Sequence, residues 1–150
     1  MAKSILILED TNARIVEMRK VFAQLLPQFG IVAFDNVPDF LDWAESNLKD
    51  TVLICLDHDL GSTRERNGER FDPGIGRDAA DALAMYPAIC PVIVHSSNSI
   101  AVPGMLLVLR ESGWTCSAMM PSDDLRWIDT WWRQELECYI SGGLIFALME

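Results

Sequence analysis

Three apolar runs constrain this chain more than any other feature, because each is unbroken and each stops at a cluster of ionisable or hydroxyl side chains. Residues 4–8 (SILIL) end in Glu9-Asp10, residues 52–56 (VLICL) in Asp57-His58-Asp59, and residues 91–94 (PVIV) in His95-Ser96-Ser97-Asn98. An unbroken run, as opposed to an alternating one, marks a strand covered on both faces, as in a parallel sheet between two helical layers.

The intervening segments carry helical spacing. Ile15, Met18, Phe22, Leu25, Leu26 and Phe29 recur every three to four residues; Thr11 or Asn12 can cap this helix and Gly30 ends it. Residues 31–34 read as a short strand. A helix follows with Pro38 near its first turn and Phe40, Leu41, Ala44 and Leu48 on its buried stripe. Residues 61–76 (GSTRERNGERFDPGIG) are polar, glycine-rich and aperiodic, so they read as a long loop, of the length that more often serves function than mere connection. An alanine-rich helix is predicted at 77–86. After the strand at 91–94 come an apolar helix at 105–109 that Gly113 terminates, and a fifth, less regular strand at 114–119. Pro121-Ser122-Asp123-Asp124 caps and starts a last helix bearing Leu125, Trp127, Ile128, Trp131, Trp132, Leu136 and Tyr139, more apolar surface than one buried stripe needs. The apolar tail 144–149, joined through Gly142-Gly143, is expected to fold back over the excess; the alternative is a homodimer through this helix.

This βα alternation specifies a doubly wound α/β sheet. At 150 residues, half of them hydrophobic, the expectation is one domain over 1–150, with its core at about 3–138 and a tail at 139–150. No apolar run approaches the roughly 18 residues that span a bilayer, and the start lacks a signal-peptide pattern, so a cytoplasmic protein is expected. Cys55, Cys90, Cys116 and Cys138 show no metal-ligand spacing and read as free thiols. A net charge of −10 argues against a broad nucleic-acid-binding surface. Arg64, Arg66, Arg70 and Arg77 are nevertheless concentrated in one segment, which keeps a local anion site open.

In doubly wound sheets, ligands bind beyond the carboxyl ends of the strands. The three clusters therefore converge on one edge. Carboxylates from Glu9, Asp10, Asp57 and Asp59 crowded there repel one another unless protons or a cation intervene, and a divalent ion is the economical answer. Oxygen ligands alone suit Mg²⁺ or Ca²⁺, and imidazole participation shifts the preference toward Mn²⁺, Fe²⁺ or Zn²⁺; Mg²⁺ or Mn²⁺ is the first expectation. If Asp57 and Ser96 share one side of the sheet, strand alternation places His58 and His95 together on the other, where they could divide acid and base roles in phosphoester chemistry. Ser96, Ser97, Asn98, Arg14, Arg64, Arg66 and Arg70 are the candidate phosphate ligands. Plainer readings stand beside these: histidines hydrogen-bonded to backbone, Glu9 and Asp10 as helix caps, residues 96–98 as a capping turn, and solvated loop arginines.

With these residues assembled, the chain resembles the receiver domains of bacterial response regulators: Glu9-Asp10 after the first strand, Asp57 after the third, Ser96 after the fourth and Met120-Pro121 after the fifth. The resemblance implies a flavodoxin-like five-stranded parallel sheet of order 2-1-3-4-5, a divalent metal at the acidic pair and Asp57, and a lysine where this chain has Met120. LEDTNAR (8–14), LDHDLG (56–61), VIVHSSN (92–98) and SGW (112–114) resemble more closely a receiver offshoot, the cyclic-phosphate processing receiver domain. That resemblance implies handling of cyclic phosphate ends of RNA or nucleotides. The expected function is metal-assisted phosphoester chemistry with His58, His95 and Asp57 in the catalytic roles. The alternative is a non-catalytic receiver-like signalling or protein-binding module.

Overall fold

The structure, a computed structural model, describes residues 2–145. Its elements in chain order are β1 (Ser4–Leu8), α1 (Asn12–Leu25), β2 (Gly30–Phe34), α2 (Val37–Asn47), a 3₁₀ turn (Leu48–Asp50), β3 (Thr51–Leu56), β4 (Arg64–Arg66), β5 (Glu69–Phe71), α3 (Gly76–Leu83), β6 (Val92–His95), α4 (Ala101–Glu111), β7 (Cys116–Met119), a π-helical turn (Ile128–Trp132) and α5 (Arg133–Ser141). The main sheet is five-stranded and parallel, ordered β2-β1-β3-β6-β7, which is the expected 2-1-3-4-5 winding.

Strand alternation divides the core in two. Leu6, Leu8, Ile54, Leu56, Val92 and Val94 face α2, α3 and α4, while Ile5, Ile7, Leu53, Cys55 and Ile93 face α1 and the C-terminal helical segment. Both faces are covered, which is why these strands read as unbroken apolar runs. Cys55, Cys90 and Cys116 are buried free thiols; Cys138 is free and exposed. No helix among the described residues is long and apolar enough to cross a membrane.

Local chemistry explains where the helices begin. Asn36 caps α2 by accepting the N–H of Asp39 (2.8 Å), with proline in the first turn. At α1 the N-cap residue is Thr11, but its side chain makes no capping bond; Glu9 Oε2 accepts the Thr11 N–H instead (2.9 Å). The segment 61–76 departs from the expected loop. It contains the β4–β5 hairpin, turned by Asn67 and Gly68, both at positive φ, the pairing that matches strand twist in two-residue turns.

The C-terminal helical segment also differs from expectation. Asp124 Oδ1 accepts the N–H of Arg126 (2.9 Å), and the chain then passes through the π turn before α5. Trp127, Ile128, Trp132, Leu136 and Tyr139 are buried against the sheet, whereas Trp131 and Leu125 remain exposed. Ile145 is buried in the same cluster and Leu144 packs against it, so the start of the tail folds back as expected; 146–149 lie outside the described residues.

One contact pins the edge where the strands end. Gly76, first residue of α3, lies so close to the end of β3 that a Cβ would fall 2.0 Å from the carbonyl oxygen of Asp57 and 2.7 Å from His58 Cα. Its N–H donates to the His58 carbonyl (2.8 Å). Gly76→Ala is therefore expected to destabilise the protein by roughly 1–3 kcal/mol or more and to displace the 57–59 segment, read as a lowered urea midpoint. An unchanged midpoint would contradict this packing.

Candidate functional site at the carboxyl edge of the sheet

The pairing register decides which side chains meet. Leu8 pairs with Leu56, Leu56 with Val94, and His95 still belongs to β6, where it pairs with Met119. One residue beyond Leu8 and Leu56, Glu9 and Asp57 come level with His95. All three continue the alternation of Ile7, Cys55 and Ile93 and turn toward α1 and Trp127. His58 and Ser96 fall on the opposite face. The expected histidine pair is thus corrected: β6 runs one residue further than its apolar run indicates, so His95, and not Ser96, sits beside Asp57.

Glu9 is the hub of the buried cluster. Its Oε1 accepts from Arg14 Nη1 (3.2 Å) and from His95 Nε2 (3.1 Å), and its Oε2 takes the Thr11 N–H. Burial pushes its pKa up, but the His95 hydrogen bond and charge, the Thr11 N–H and Arg14 outweigh that and hold it down at about 2. Arg14 also reaches Asp57 Oδ2 (3.7 Å). Trp127 supports both partners of Glu9: its ring stacks on His95 with centroids 5.9 Å apart, and the Arg14 guanidinium lies 5.5 Å from its centroid. No residue-level signal marked Trp127 among the tryptophans of the last helix. It follows directly into the π turn, a helical irregularity often found near functional sites.

Asp57 has the opposite balance. Burial first, and then the Glu9 charge, push its pKa up to about 8, although the His58 N–H (2.7 Å to Oδ1) and Arg14 act against them. Asp10, exposed at the mouth, is shifted upward by burial of its carboxyl and by Glu9. Oxygens of Glu9, Asp10 and Asp57 lie within 4.8 Å of one another, close enough for one divalent cation to bridge them. The upward shift of two of the three means that the arginine leaves the cluster short of positive charge, and this donor set suits a hard divalent ion.

The remaining candidates disperse. Asp59 is exposed, bridges to Ile75 and accepts from Asn98 Nδ2 (3.4 Å), outside the converging carboxylates. His58 Nδ1 accepts the Arg77 N–H (3.2 Å) at the start of α3, which leaves the ring proton on Nε2. Asn98 Oδ1 accepts the N–H of Ala101 (2.9 Å) and Ser96 Oγ that of Asn98 (3.1 Å), so both shape the turn into α4; Ser97 is exposed. Arg64 pairs with Asp35 (3.0 Å), Arg66 with Asp39 (3.1 Å) while lying over Phe71, and Arg77 with Asp81 (2.9 Å). The hairpin arginines therefore fasten β4–β5 to α2 instead of folding over the crevice, and Arg70 is exposed on β5. Met120, at the place the receiver resemblance gives to lysine, is more than half exposed.

Comparison with known proteins agrees with the fold. The family model of the cyclic-phosphate processing receiver domain matches residues 5–111. Among solved structures, the phosphorylated cyanobacterial phytochrome response regulator RcpA is 18% identical, with 95% of this chain and 96% of that chain covered and a TM-score of 0.70. The Mn²⁺-bound form of response regulator Rcp1 is 18% identical over 91% of this chain and 93% of that one, with a TM-score of 0.65. A CheY-like receiver domain protein from Methanospirillum hungatei is 14% identical over 95% and 100%, with a TM-score of 0.61. At these identities the likeness is one of fold. No curated protein matches the sequence.

The raised carboxyl of Asp57 gives a stability signature. Below the unfolded value of 3.8 both states hold its proton and it costs nothing; between there and about 8 only the folded state does, so stability falls as pH rises through that window. Glu9 has the reverse sign, its stabilisation being present above 4.5 and lost as pH falls toward about 2. Without divalent ions, the melting temperature is expected to fall from about pH 5 to about pH 8, and Asp57→Asn to flatten that fall and melt higher than wild type at the alkaline end. Parallel profiles for the two proteins would contradict the burial of this carboxyl.

Proposed function

The chain belongs to the cyclic-phosphate processing receiver domain family, and from that premise we propose that it binds a divalent cation between Glu9, Asp10 and Asp57 and opens a cyclic phosphodiester on a nucleotide or RNA end. The observation that carries the reading is Arg14. It reaches across Glu9 to Asp57 from the first turns of α1, a guanidinium beside the carboxylates in a chain whose receiver-like lysine position is Met120. Arginine presents a planar fork matched to phosphate oxygens, so this crevice is fitted to grip a phosphodiester.

The cation, when bound, polarises the phosphoryl group and offsets its charge. An all-carboxylate set favours Mg²⁺ or Mn²⁺ over Zn²⁺ or Fe²⁺, since His95 Nε2 is already engaged by Glu9. In the reaction, water adds to phosphorus, one ring P–O bond breaks, and the departing oxygen takes a proton to become a hydroxyl, leaving a phosphomonoester. Arg14 steadies the charge that builds on the non-bridging oxygens. The exposed hydroxyl of Ser97 and, with it, Ser96 and Asn98 border the phosphate. Arg64 and Arg66 join only by leaving Asp35 and Asp39.

The histidines take different parts. His58, whose Nδ1 accepts the Arg77 N–H, is assigned a hydrogen bond from Nε2–H that steadies the departing oxygen, whose proton comes from the water that adds. His95 is a positioning residue that holds Glu9. His95→Ala is expected to weaken Mn²⁺ binding about 10–100-fold, as loss of a group that orients a metal ligand does, with His95→Gln recovering most of it. His58→Ala should keep Mn²⁺ affinity and lose turnover.

The test is phosphorus NMR of a nucleoside 2′,3′-cyclic phosphate incubated with the protein and Mg²⁺ or Mn²⁺. Conversion to the monoester that disappears with Asp57→Ala and with Arg14→Ala is expected. No turnover with any divalent metal, on mononucleotides or oligonucleotides, would contradict the enzymatic reading in favour of the non-catalytic module.

A further inference from the structure

Next to the acidic crevice, at the ends of β6 and β7, lies a second cavity of about 270 Å³ to which none of the chemistry above assigns a purpose. It is lined by Ser96, Ser99, Val102, Ala118, Met119 and Met120. His95, which holds Glu9 in the crevice, pairs with Met119, which lines the cavity, so the two spaces adjoin across this pair of strand ends. A lysine at position 120 would carry a charge into this space; methionine leaves it apolar.

We infer that this cavity receives the nucleobase of the cyclic-phosphate substrate, so that the protein reads a terminal nucleoside and not a bare cyclic phosphate. The inference rests on the phosphoester reading of the neighbouring crevice. Its lining determines the occupant. Among the described residues that line the space there is no carboxylate to hold a cation and no arginine or lysine to hold an anion, so the ligand part that enters is uncharged. Thioethers of Met119 and Met120 are polarisable and pack well on aromatic rings. Hydroxyls of Ser96 and Ser99 at one side can donate to or accept from the polar edge of a base. Apolar walls with few polar groups are the ordinary composition of a small-ligand pocket.

Cavity and crevice adjoin across the His95–Met119 pair, His95 holding Glu9 and Met119 lining the cavity, and a nucleoside 2′,3′-cyclic phosphate likewise carries its phosphate on one side of the ribose and its base on the other. One cavity accommodates one base. The net charge of −10 argues against tracking a longer phosphate backbone, so the recognised unit is a mononucleotide or the last nucleotide of an RNA.

The experiment compares adenosine 2′,3′-cyclic phosphate with glycerol 1,2-cyclic phosphate, which has the same five-membered phosphate ring and no base. Dissociation constants, or KM where turnover occurs, are measured with Mn²⁺ for wild type and for two pocket-filling variants, Ser99→Trp and Ala118→Leu. Both positions are exposed, so the fold should tolerate them. Wild type is expected to prefer the nucleotide by about 10- to 100-fold, the gain from burying one base in an apolar pocket. Each variant should lose most of that preference while binding glycerol cyclic phosphate as wild type does. Equal affinity of wild type for the two ligands, or a preference that survives both variants, would overturn the base pocket and leave the phosphoester reading standing. Binding of neither ligand would overturn both.

Discussion

Two carboxylates buried side by side at the ends of neighbouring strands are the constraint on which the rest of this molecule turns. Glu9 and Asp57 repel one another in a poorly solvated place, and the surrounding residues are arranged to make that tolerable. Glu9 receives three donors, from Thr11, Arg14 and His95. Asp57 receives less and carries the strain, its carboxyl pushed toward the protonated state near neutral pH. Trp127 lies against both His95 and Arg14, so the last helical segment, packed onto the sheet by its tryptophans, also holds the partners of Glu9 in place. Packing and electrostatics are here one structure: loosening the helix would release the groups that balance the charge.

That arrangement differs at one position from the receiver resemblance. In the receiver resemblance a lysine follows the fifth strand, whereas here the cation arrives from α1 as Arg14 and the lysine position is an exposed methionine. Moving the cation from one side of the crevice to the other changes what the crevice is shaped to hold. An apolar cavity lies beside β7, and Arg14 lies against the carboxylates of Glu9 and Asp57.

Much of this was legible in the sequence, for physical reasons. The strands show because burial on both faces demands unbroken apolar runs, and the doubly wound order follows from their alternation with helices. The acidic cluster shows because it sits where such runs stop. What was hidden depends on single-residue register. Whether His95 closes β6 or opens the following turn decides which face it takes, and a histidine after three apolar residues carries no mark of either. The β4–β5 hairpin was missed because its strands are three residues long and polar except for Phe71, although Asn67-Gly68 between RER and ERF is a hairpin signal that could have found it. Arg64 and Arg66 looked like phosphate ligands because their partners, Asp35 and Asp39, are distant in sequence. Gly76 looked like loop composition, and only the approach of α3 to Asp57 explains it.

The central claim is that the carboxylates of Glu9, Asp10 and Asp57 form a divalent-cation site. Its most direct test is a Mn²⁺ titration followed by electron paramagnetic resonance, with wild type, Asp57→Asn and Asp59→Asn in parallel. One bound ion per chain is expected, lost with Asp57→Asn and kept with Asp59→Asn, because Asp59 lies outside the converging oxygens. Absence of a bound ion in the wild type, or binding indifferent to Asp57, would contradict it.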